Sequence, residues 1–450
     1  MKISIIGTGY VGLVSGVCLA EAGHDVVCVD LDEAKVARIN AADAPIHEKG
    51  LDELLAKACG RNFRATTDLH GAVLGSDLSM IAVGTPFDGE EIDLQYIRAA
   101  ARQIGEALKD KPSYHVVVVK STVVPGTTCD VVLPTLEEAS GKIAGRDFGV
   151  GMNPEFLREG EAVADFMNPD RIVLGGIDER TLDVMRRLYQ PFAGVDQIAT
   201  NPRTAEMIKY TANSLLATMI SFSNEIGNLC AAIPNVDVTD VMRGVHLDKR
   251  LSPILPDGTR IHPSFNTYLE AGCGFGGSCF PKDVKALIAH GRKLGREMNL
   301  LDAVVKVNLA QPAKMLELLG SHFSSLCDVR VTVLGVAFKP GTDDIRESPS
   351  LPVIQALLDG GARVTVFDPV ARGEAERHFG TGTLYYADAL EEAVSDAQAV
   401  LLMTRWPEFA CLPEIFAKAT VQPLLVDGRR VIPVTGVDRY EGIGIGPALL

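Results

Sequence analysis

The stretch that decides the fold is KISIIGTGYVG, residues 2–12. Its apolar first half predicts a β-strand. Its second half places three glycines in GxGxxG spacing at the start of a helix, namely Gly7, Gly9 and Gly12. Glycines in this spacing let the backbone approach a pyrophosphate at the N-terminus of that helix. The stretch therefore predicts a dinucleotide site of the Rossmann type.

A second strand follows within VVCVD and ends at Asp30. A carboxylate at this distance from the glycines can accept hydrogen bonds from ribose hydroxyls, and it repels a 2′-phosphate. We therefore expect NAD rather than NADP as the cofactor, although Lys35 is close enough in sequence to soften that preference. The alternative, a Rossmann-like fold without a bound dinucleotide, is disfavoured because both features stand in their expected positions.

The composition is that of a globular protein. A net charge of −15 over 450 residues argues against nucleic acid or an anionic membrane surface as the main partner. No apolar run approaches the ~20 residues of a membrane span, and the N-terminus begins a strand directly, without a cleavable signal. The nine cysteines are scattered and lack CxxC spacing. This favours reduced thiols, a cytoplasmic location and no metal site.

Strand-like and helix-like segments alternate through roughly the first 200 residues, which predicts a parallel sheet with helices on both faces. From about Thr204 the stretch AEMIKYTANSLLATMISFSNEIGNLCAAI predicts one long, largely apolar helix, buried between domains or subunits. The alternation returns at Val329. The predicted fold class is α/β, with two Rossmann-like domains joined by a central helical region. The predicted domains are residues 1–203, 204–325 and 326–450.

The stretch GFGGSCFPKD, residues 274–283, places Cys279 among glycines and before Lys282 and Asp283. A nearby cation or a helix N-terminus would favour the thiolate. Beside a nicotinamide, a thiolate can attack an aldehyde and form a thioester, whose hydrolysis gives a carboxylate. The alternative is a small buried core thiol. This stretch alone leaves the two readings of Cys279 close to even.

Two other segments bear on that choice. Glu155 and Glu159, in NPEFLREGEA, offer a carboxylate that could activate water for hydrolysis. They share a face if the segment is helical, whereas a loop is the alternative. Lys209 and Asn213 lie one turn apart on the long helix and could stabilise an oxyanion. A buried lysine requires a partner, so a structural salt bridge is the competing interpretation.

Thr85 and Thr122 follow later strands, in VGTP and KSTVVPGT. Ligands of open α/β sheets bind at the carboxyl ends of strands, so both threonines are candidates for the same crevice. A helix cap or turn is the alternative for each.

The chain resembles the UDP-glucose/GDP-mannose dehydrogenase family of nucleotide-sugar 6-dehydrogenases. The motifs that carry the resemblance are IIGTGYVGLVSG, VGTP, KSTVVPGT, NPEFLREG, AEMIKYTAN, GFGGSCFPKD, AFKPGTDDIRES and DGRRV, in that order. It extends over essentially the whole chain, and GGSCFPKD is the most specific motif. It implies a four-electron oxidation of a sugar 6-hydroxyl to an acid, with two NAD and one water.

The resemblance also implies roles for individual residues. Cys279 resembles the thioester-forming nucleophile, and Lys209 and Asn213 resemble the pair that stabilises the oxyanion. Asp283 and Thr122 resemble residues that hold a catalytic water, and Glu155 a group in thioester hydrolysis. The implied cofactor-binding residues are Gly7, Gly9, Tyr10, Val11, Gly12, Asp30, Lys35, Thr85, Thr122, Glu159, Lys282 and Arg346. The implied substrate-binding residues are Glu155, Phe156, Leu157, Arg158, Glu159, Lys209, Asn213, Arg250, Tyr268, Leu269, Gly276, Phe280, Phe338, Lys339 and Arg429.

Substrate and assembly follow from the same resemblance. DKRLS, FGGSCFPKD and DGRRV favour UDP-glucose, which would be oxidised to UDP-glucuronate for polysaccharide biosynthesis. GDP-mannose and a UDP-N-acetylhexosamine are the alternatives, and a silent nucleotide-binding protein is the non-enzymatic one. The C-terminal domain is expected to bind the UDP-sugar, and the central domain to form a homodimer or a larger homo-oligomer. The choices between Arg250 and Arg260, and between Arg429 and Arg430, stay open, as does the effect of the extra loop at residues 252–264.

Overall fold

The computed structural model describes residues 1–447. The chain packs as two compact units, which divide between Ala212 and Asn213. This division falls inside a long helix, whereas the sequence predicted three segments. The three domains predicted from the sequence therefore stay a prediction. None of the helices within the described residues combines the length and the apolar character needed to cross a membrane.

The first unit is built on an eight-stranded sheet in the order β3-β2-β1-β4-β5-β6-β7-β8. Its strands are β1 (Lys2–Ile6), β2 (Asp25–Val29), β3 (Phe63–Thr66), β4 (Leu78–Ile81), β5 (His115–Val119), β6 (Phe148–Met152), β7 (Arg171–Gly176) and β8 (Asp196–Thr200). Its helices are α1 (Tyr10–Glu21), α2 (Glu33–Asn40), α3 (Leu51–Ala58), α4 (Leu69–Leu74), α5 (Gln95–Asp110), α6 (Leu133–Ser140), α7 (Ala162–Met167) and α8 (Glu179–Leu188). A π-helical turn, Thr128–Val132, precedes α6.

The central strands are buried along nearly their whole length because helices cover both faces of the sheet. All five residues of β5 are buried. Two separate hydrophobic clusters pack against the sheet, one with α1, α3 and α7, the other with α5 and α6. The arrangement brings the loops that follow β1, β4, β5 and β6 to one edge of the sheet.

One prediction for this sheet is wrong. The sheet is not wholly parallel, because β7 runs antiparallel to β6. The only helix between these strands, α7, has six residues and is about 9 Å long. It is too short to return the chain along a strand of about 16 Å, so the chain enters β7 from the carboxyl edge.

The second unit begins with helices and continues into a parallel six-stranded sheet in the order β11-β10-β9-β12-β13-β14. Helix α9 (Pro202–Cys230) starts in the first unit and is followed by α10 (Val238–His246), α11 (Phe280–Lys293) and α12 (Asn299–Gly320). The sheet and its helices are β9 (Arg330–Leu334), α13 (Ser350–Asp359), β10 (Arg363–Phe367), α14 (Arg372–Phe379), β11 (Tyr385–Tyr386), α15 (Leu390–Val394), β12 (Ala399–Leu402), α16 (Leu412–Phe416), β13 (Leu424–Asp427) and β14 (Tyr440–Gly442). Short 3₁₀ turns occupy Ser264–Leu269, Pro407–Cys411 and Val434–Gly436. The predicted fold class is confirmed: two α/β sheets, with a helical region between them in sequence.

Candidate functional site

In the turn after β1, each of the three glycines is required for a different physical reason. Gly7 has φ 103°, and a Cβ atom there would lie 2.6 Å from the carbonyl oxygen of Ala82. A Cβ at Gly12 would lie 2.0 Å from the Gly7 carbonyl oxygen, so this glycine allows α1 to pack against the turn. A Cβ at Gly9 would meet no atom within 4 Å. Gly9 therefore borders open space, as expected where a pyrophosphate approaches the helix that starts at Tyr10 and Val11.

Asp30 lies beside this turn, directly after β2. Its Oδ2 accepts a hydrogen bond from the Thr8 amide at 3.0 Å and one from the Thr8 hydroxyl, and Lys35 Nζ is 3.6 Å away. Burial raises the pKa of Asp30, but the bonds from Thr8 and Asp32 and the Lys35 charge lower it overall. An ionised carboxylate here fits a ribose and repels a 2′-phosphate. The residues present thus fit NAD.

The loops after β4 and β5 meet at the same edge of the sheet. Thr85 donates its hydroxyl to the Thr122 carbonyl oxygen at 2.8 Å, so the two predicted threonines are neighbours. Sequence reasoning missed Glu48, whose carboxylate accepts hydrogen bonds from the amides of Gly160 at 2.7 Å and Ala162 at 2.9 Å, and from the Tyr10 hydroxyl. Glu48 thereby ties the start of α1 to the loop that precedes α7.

That loop carries Glu155, which forms a buried ion pair with Lys209 of α9. Lys209 Nζ lies 2.8 Å from Glu155 Oε1, and the two side chains are 4% and 5% exposed. Glu155 Oε2 accepts the Leu157 amide at 2.7 Å. Burial raises the pKa of Glu155, but Lys209 and the Leu157 amide lower it overall. The partner that a buried lysine requires is therefore Glu155.

The rest of the NPEFLREG segment is a loop and a turn, not a helix, so Glu155 and Glu159 do not share a helix face. The Phe156 ring stacks on the Arg171 guanidinium at 3.9 Å and lies 5.6 Å from Lys209 Nζ. The guanidinium of Arg158 binds the Asp165 carboxylate, with one contact of 2.6 Å. Leu157 packs against the cluster under α1, and Glu159 is half-buried.

A second buried lysine, Lys120, lies directly after β5 and was missed by the sequence analysis. Its Nζ donates to Asn153 Oδ1 at 2.8 Å and lies 3.5 Å from the Tyr189 hydroxyl. Burial lowers the pKa of Lys120 to about 8, with Glu155 acting against the shift and Lys209 adding to it. The available signal was a lysine directly after a strand with four consecutive valines, Val116 to Val119.

In the second unit, Cys279 is the N-cap residue of α11, directly before its first residue, Phe280. Its side chain is half-buried, and its Sγ lies 3.5 Å from the Ser278 hydroxyl. The Cys279 carbonyl oxygen accepts the Asp283 amide at 2.8 Å, which closes the first turn. A thiolate at this position faces the positive end of the helix dipole.

A short polar chain follows Cys279. Asn213 Nδ2 donates to Asp283 Oδ2 at 2.7 Å, and Lys282 Nζ lies 2.6 Å from Asp283 Oδ1. Asn213 and Asp283 are buried. The structure thus joins three of the predicted site residues in one chain of bonds. It pairs Lys282 with Asp283, whereas the sequence analysis expected Lys282 near the cofactor.

The glycines before Cys279 lie where the chain packs closely against itself. A Cβ at Gly276 would lie 2.3 Å from the Glu347 carbonyl oxygen. Gly277, with φ 85°, would bring a Cβ within 2.8 Å of the Phe338 ring. Close approach of the chain to itself therefore explains both glycines, and it fixes the Cys279 loop against the segment that follows β9. Lys339 follows Phe338 in that segment and is half-buried.

Aromatic side chains surround the start of α11. The Phe280 ring lies 6.0 Å from Phe275 and 6.1 Å from Tyr268, measured between ring centroids. Leu269 is buried next to Tyr268 in sequence. Arg346 is 65% exposed and binds both carboxylate oxygens of Asp344.

The arginines of the two open pairs differ in their contacts within the protein. Arg430 donates to both carboxylate oxygens of Asp237, and Arg429 directs Nε to the Met403 carbonyl oxygen at 2.7 Å. Arg429 is thus the arginine of the pair that is not held by a carboxylate.

The loop at residues 252–264 contains the other pair. Arg260 donates to the carbonyl oxygens of Leu247 and Ser252, so it holds the loop itself. Arg250 is 88% exposed and binds Asp248.

The second sheet has an acidic residue in the place that Asp30 occupies in the first. Asp368 follows β10, and its carboxylate is buried. It accepts the amides of Val336, Ala337, Val370 and Ala371 and the indole N–H of Trp406. These donors surround both oxygens, so this sheet offers no free carboxylate for a ribose. That agrees with the absence of GxGxxG after β9 in the sequence.

Comparison with known proteins gives consistent results along the chain. The UDP-glucose/GDP-mannose dehydrogenase family matches in three parts: the NAD binding domain at residues 1–193, the central domain at 203–310 and the UDP binding domain at 332–434. The UDP-glucose 6-dehydrogenase AglM of Haloferax volcanii is 46% identical over 98% of this chain and 99% of its own length. The GDP-mannose 6-dehydrogenase of Pseudomonas savastanoi is 38% identical over 97% of this chain and 96% of its own length.

A solved structure agrees in fold. The UDP-glucose dehydrogenase of Pyrobaculum islandicum superposes with a TM-score of 0.89 and 39% identity, over 98% of this chain and 97% of that one. The predictions of NAD as cofactor and of a nucleotide-sugar ligand are confirmed by the matching domains. The matches span both units and all the motifs quoted above, and on this ground the chain belongs to the UDP-glucose/GDP-mannose dehydrogenase family.

Proposed function

We propose that this chain is a UDP-glucose 6-dehydrogenase, which oxidises the sugar 6-hydroxyl to a carboxylate through a thioester on Cys279. The observation that carries the proposal is the half-buried Cys279 thiol at the N-terminus of α11, one turn before the buried Asp283. An enzyme that stops at the aldehyde needs no such nucleophile.

The overall reaction balances as follows. UDP-glucose, two NAD⁺ and one water give UDP-glucuronate, two NADH and three H⁺. NAD, when held at the glycine turn, would supply the hydride acceptor for both oxidations. Between the two oxidations the Cys279 thiol adds to the aldehyde as a thiohemiacetal, and water later releases the acid from the thioester.

The other catalytic and cofactor-binding roles belong to further side chains of this protein. Lys209 and Asn213 stabilise the oxyanion that forms at C6, Asp283 and Thr122 hold the water and its protons, and Glu155 takes part in thioester hydrolysis. The glycine turn, Asp30 and Lys35 hold NAD, with Thr85, Glu159, Lys282 and Arg346 as further contacts.

We assign substrate binding to the residues that the sequence analysis predicted for it. Arg429 is suited to the substrate because, among residues 1–447, its guanidinium contacts a backbone carbonyl oxygen and no carboxylate, whereas Arg430 binds Asp237. The NPEFLREG loop, Arg250, Tyr268, Leu269, Gly276, Phe280, Phe338 and Lys339 complete this group. The preference for UDP-glucose over GDP-mannose rests on the higher identity to a UDP-glucose 6-dehydrogenase, 46% against 38%.

The functional protein is a homodimer or a larger homo-oligomer of cytoplasmic location. Helix α9 exposes Leu215, Phe222 and Leu229, which are 59%, 49% and 57% exposed and stand at seven-residue intervals. Residues seven apart share one helix face, and an apolar face of this length suits a second copy of the helix. All nine cysteines are free thiols, which suits a reducing compartment.

The test is the number of NADH formed per UDP-glucose, together with the Cys279→Ser variant. We expect two NADH per substrate and a loss of turnover of about 10³-fold or more in the variant. Cys327→Ser, which changes an exposed thiol, is the matched control and should retain full activity.

One NADH per substrate, or normal turnover by Cys279→Ser, would overturn the proposal. Initial rates with GDP-mannose and with UDP-N-acetylglucosamine decide the substrate, and UDP-glucose should give the highest kcat/KM. Tight binding of NAD and UDP-glucose without NADH would identify a silent binding protein instead.

A further inference from the structure

Two side-chain amides of α12 bind the backbone of the loop that leads to Cys279, and the proposed reaction gives neither of them a role. Asn308 Nδ2 donates to the Phe275 carbonyl oxygen at 2.9 Å, and Asn308 Oδ1 accepts the Phe275 amide at 2.8 Å. One turn later, Gln311 Nε2 donates to the Gly272 carbonyl oxygen at 2.8 Å. An asparagine amide offers the same donor and acceptor as a peptide group, so Asn308 pairs with Phe275 as a neighbouring strand would.

The course of α12 and the conformation of Gly274 allow this close approach. Pro312 lies inside α12 and has no amide hydrogen, so it cannot donate to the Asn308 carbonyl oxygen four residues earlier. Gly274 has φ 102°, and a Cβ atom there would lie 3.0 Å from Asn308 Oδ1 and 3.5 Å from the Asn308 carbonyl oxygen. The helical hydrogen bonding of α12 is therefore interrupted at the residue that faces the loop.

The segment between Phe275 and Cys279 has little stiffness of its own. Two of its three residues are glycines, which have more conformational freedom than any other residue. The Gly277 amide donates to the Arg346 carbonyl oxygen at 2.8 Å. The segment is thus held in two places, by Asn308 at its start and by a later part of the chain in its middle.

Phe275 also contacts the first residue of α11. Its ring is buried and lies edge-on to the ring of Phe280, with the centroids 6.0 Å apart and the planes at 81°. Phe280 directly follows Cys279, so Phe275 bears on the thiol from both sides: through the glycines before it and through the aromatic ring after it. All these residues belong to the second unit.

We propose that Asn308 is a positioning residue for Cys279, which acts by holding the Phe275 backbone. The Cys279 sulfur must reach C6 of the sugar, and a misplacement of about 1 Å can cost such a step about 100-fold in rate. Two hydrogen bonds from a helix give the loop a fixed position that its glycines alone would not provide. The inference rests on the proposed function, because the position of Cys279 matters to turnover only if its thiol reacts.

The experiment compares Asn308→Leu and Asn308→Gln in the full chain. Leucine has the branched shape of asparagine but makes neither hydrogen bond, so kcat should fall about tenfold or more, while the KM for NAD changes by no more than about twofold. Glutamine still donates and accepts but displaces the amide by one methylene, so kcat should fall about fivefold. A merely structural role would spare Asn308→Gln, because the Phe275 backbone would keep its partners.

A second readout needs no turnover. Alkylation of Cys279 by iodoacetamide, followed by peptide mass spectrometry, reports how often this half-buried thiol is accessible. Its rate should rise about tenfold in Asn308→Leu, because the loop loses two hydrogen bonds. The exposed Cys327 is the reference for the reagent, and the buried Cys28 monitors global unfolding. Both of these thiols should keep their wild-type rates.

Gln398→Met is the matched control. Gln398 Oε1 also accepts a backbone amide of the second unit, that of Arg330 at 3.1 Å. Gln398 lies directly before β12, at the amino end of the sheet, whereas the loop before Cys279 packs against the segment that follows β9. The control variant should therefore keep both the wild-type kcat and the wild-type rate of Cys279 alkylation.

The outcomes separate this inference from the proposed function. A wild type that makes no NADH from UDP-glucose would overturn the proposed function. With that function intact, an unchanged kcat in a folded Asn308→Leu would overturn the role of Asn308 alone. A lower kcat with an unchanged rate of Cys279 alkylation would do the same, because the defect would then lie outside the loop. If Asn308→Leu does not fold, Asn308→Gln decides the matter, and a wild-type kcat in it would overturn the role of Asn308.

Discussion

Arg430 donates to both carboxylate oxygens of Asp237, at 2.9 and 2.7 Å, and so joins the loop after β13 to the start of α10. Both side chains are largely buried. Asp237 also accepts the Thr239 amide as the N-cap of α10. The adjacent Arg429 makes no such pair, so two neighbouring arginines serve different purposes.

The two arginines should therefore respond differently to truncation. Arg430→Ala leaves the Asp237 carboxylate without its cation and should lower the free energy of unfolding by about 2–3 kcal/mol. Arg429→Ala should change it by no more than about 1 kcal/mol and raise the KM for UDP-glucose about tenfold or more. Urea denaturation and steady-state kinetics measure the two effects. The assignment fails if the stability loss is found in Arg429→Ala.

The buried pair of Lys209 and Glu155 predicts a stability effect that a second substitution reverses. Lys209→Met leaves the Glu155 carboxylate buried without its ammonium partner, which should cost about 3–5 kcal/mol. Adding Glu155→Gln removes the charge, so the double variant should recover most of that loss. Neither variant should turn over. A double variant no more stable than Lys209→Met in urea would show that the two residues are not coupled.

The choice of coenzyme should depend on Asp30. Asp30→Ser removes the carboxylate that faces the ribose, so kcat/KM for NAD should fall about tenfold and activity with NADP should appear. Asp32→Ala is the control, because Asp32 caps α2 through the amides of Ala34 and Lys35. It should cost about 1 kcal/mol of stability and leave the ratio of NAD to NADP activity unchanged. An unchanged ratio in Asp30→Ser would contradict the assignment.

The buried His115 should make the free energy of unfolding depend on pH. It is buried at the start of β5, where it contacts the Ser79 hydroxyl at 2.8 Å and the Ser76 carbonyl oxygen at 3.2 Å. Burial, together with the Lys111 charge, lowers its pKa from 6.5 to about 3. Between these values the unfolded chain binds a proton that the folded chain does not. Stability should therefore fall as the pH drops from about 6.5 toward 3, by up to about 1.4 kcal/mol per pH unit.

The measurement is urea denaturation at pH 7 and pH 5 for wild type, His115→Asn and the exposed control His70→Asn. His115→Asn should be less stable at pH 7 but lose less on acidification than the wild type. His70→Asn should follow the wild-type slope. Equal slopes in all three proteins would rule out His115 as the source.

The glycine turn and the position of Asp30 beside it could be predicted from sequence because both depend on short-range chemistry. A turn needs glycine at defined positions, and a strand end places its next residue at a known edge of the sheet. The long helix was likewise visible in its apolar periodicity. The two α/β sheets followed from the alternation of segments.

Other features could not be predicted because their partners are distant in sequence. The sequence showed that Lys209 needed a partner, but not that Glu155 is that partner. Glu48 stands in no motif, and Lys120 was not singled out within KSTVVPGT, because their contacts are with the distant residues Gly160 and Asn153. The antiparallel direction of β7 could not be predicted because it follows from the shortness of α7. The need for glycine before Cys279 could not be predicted because it follows from contacts with a later segment.

Both carboxylate oxygens of Asp368 already accept hydrogen bonds, and this has a consequence for protein engineering. Installing three glycines after β9 would not convert the second sheet into a coenzyme site, because its acidic residue already holds two turns of backbone and the indole of Trp406. Freeing that carboxylate from its hydrogen bonds would destabilise the loops that it holds together. A designer seeking a second coenzyme site at this sheet would have to rebuild those loops first.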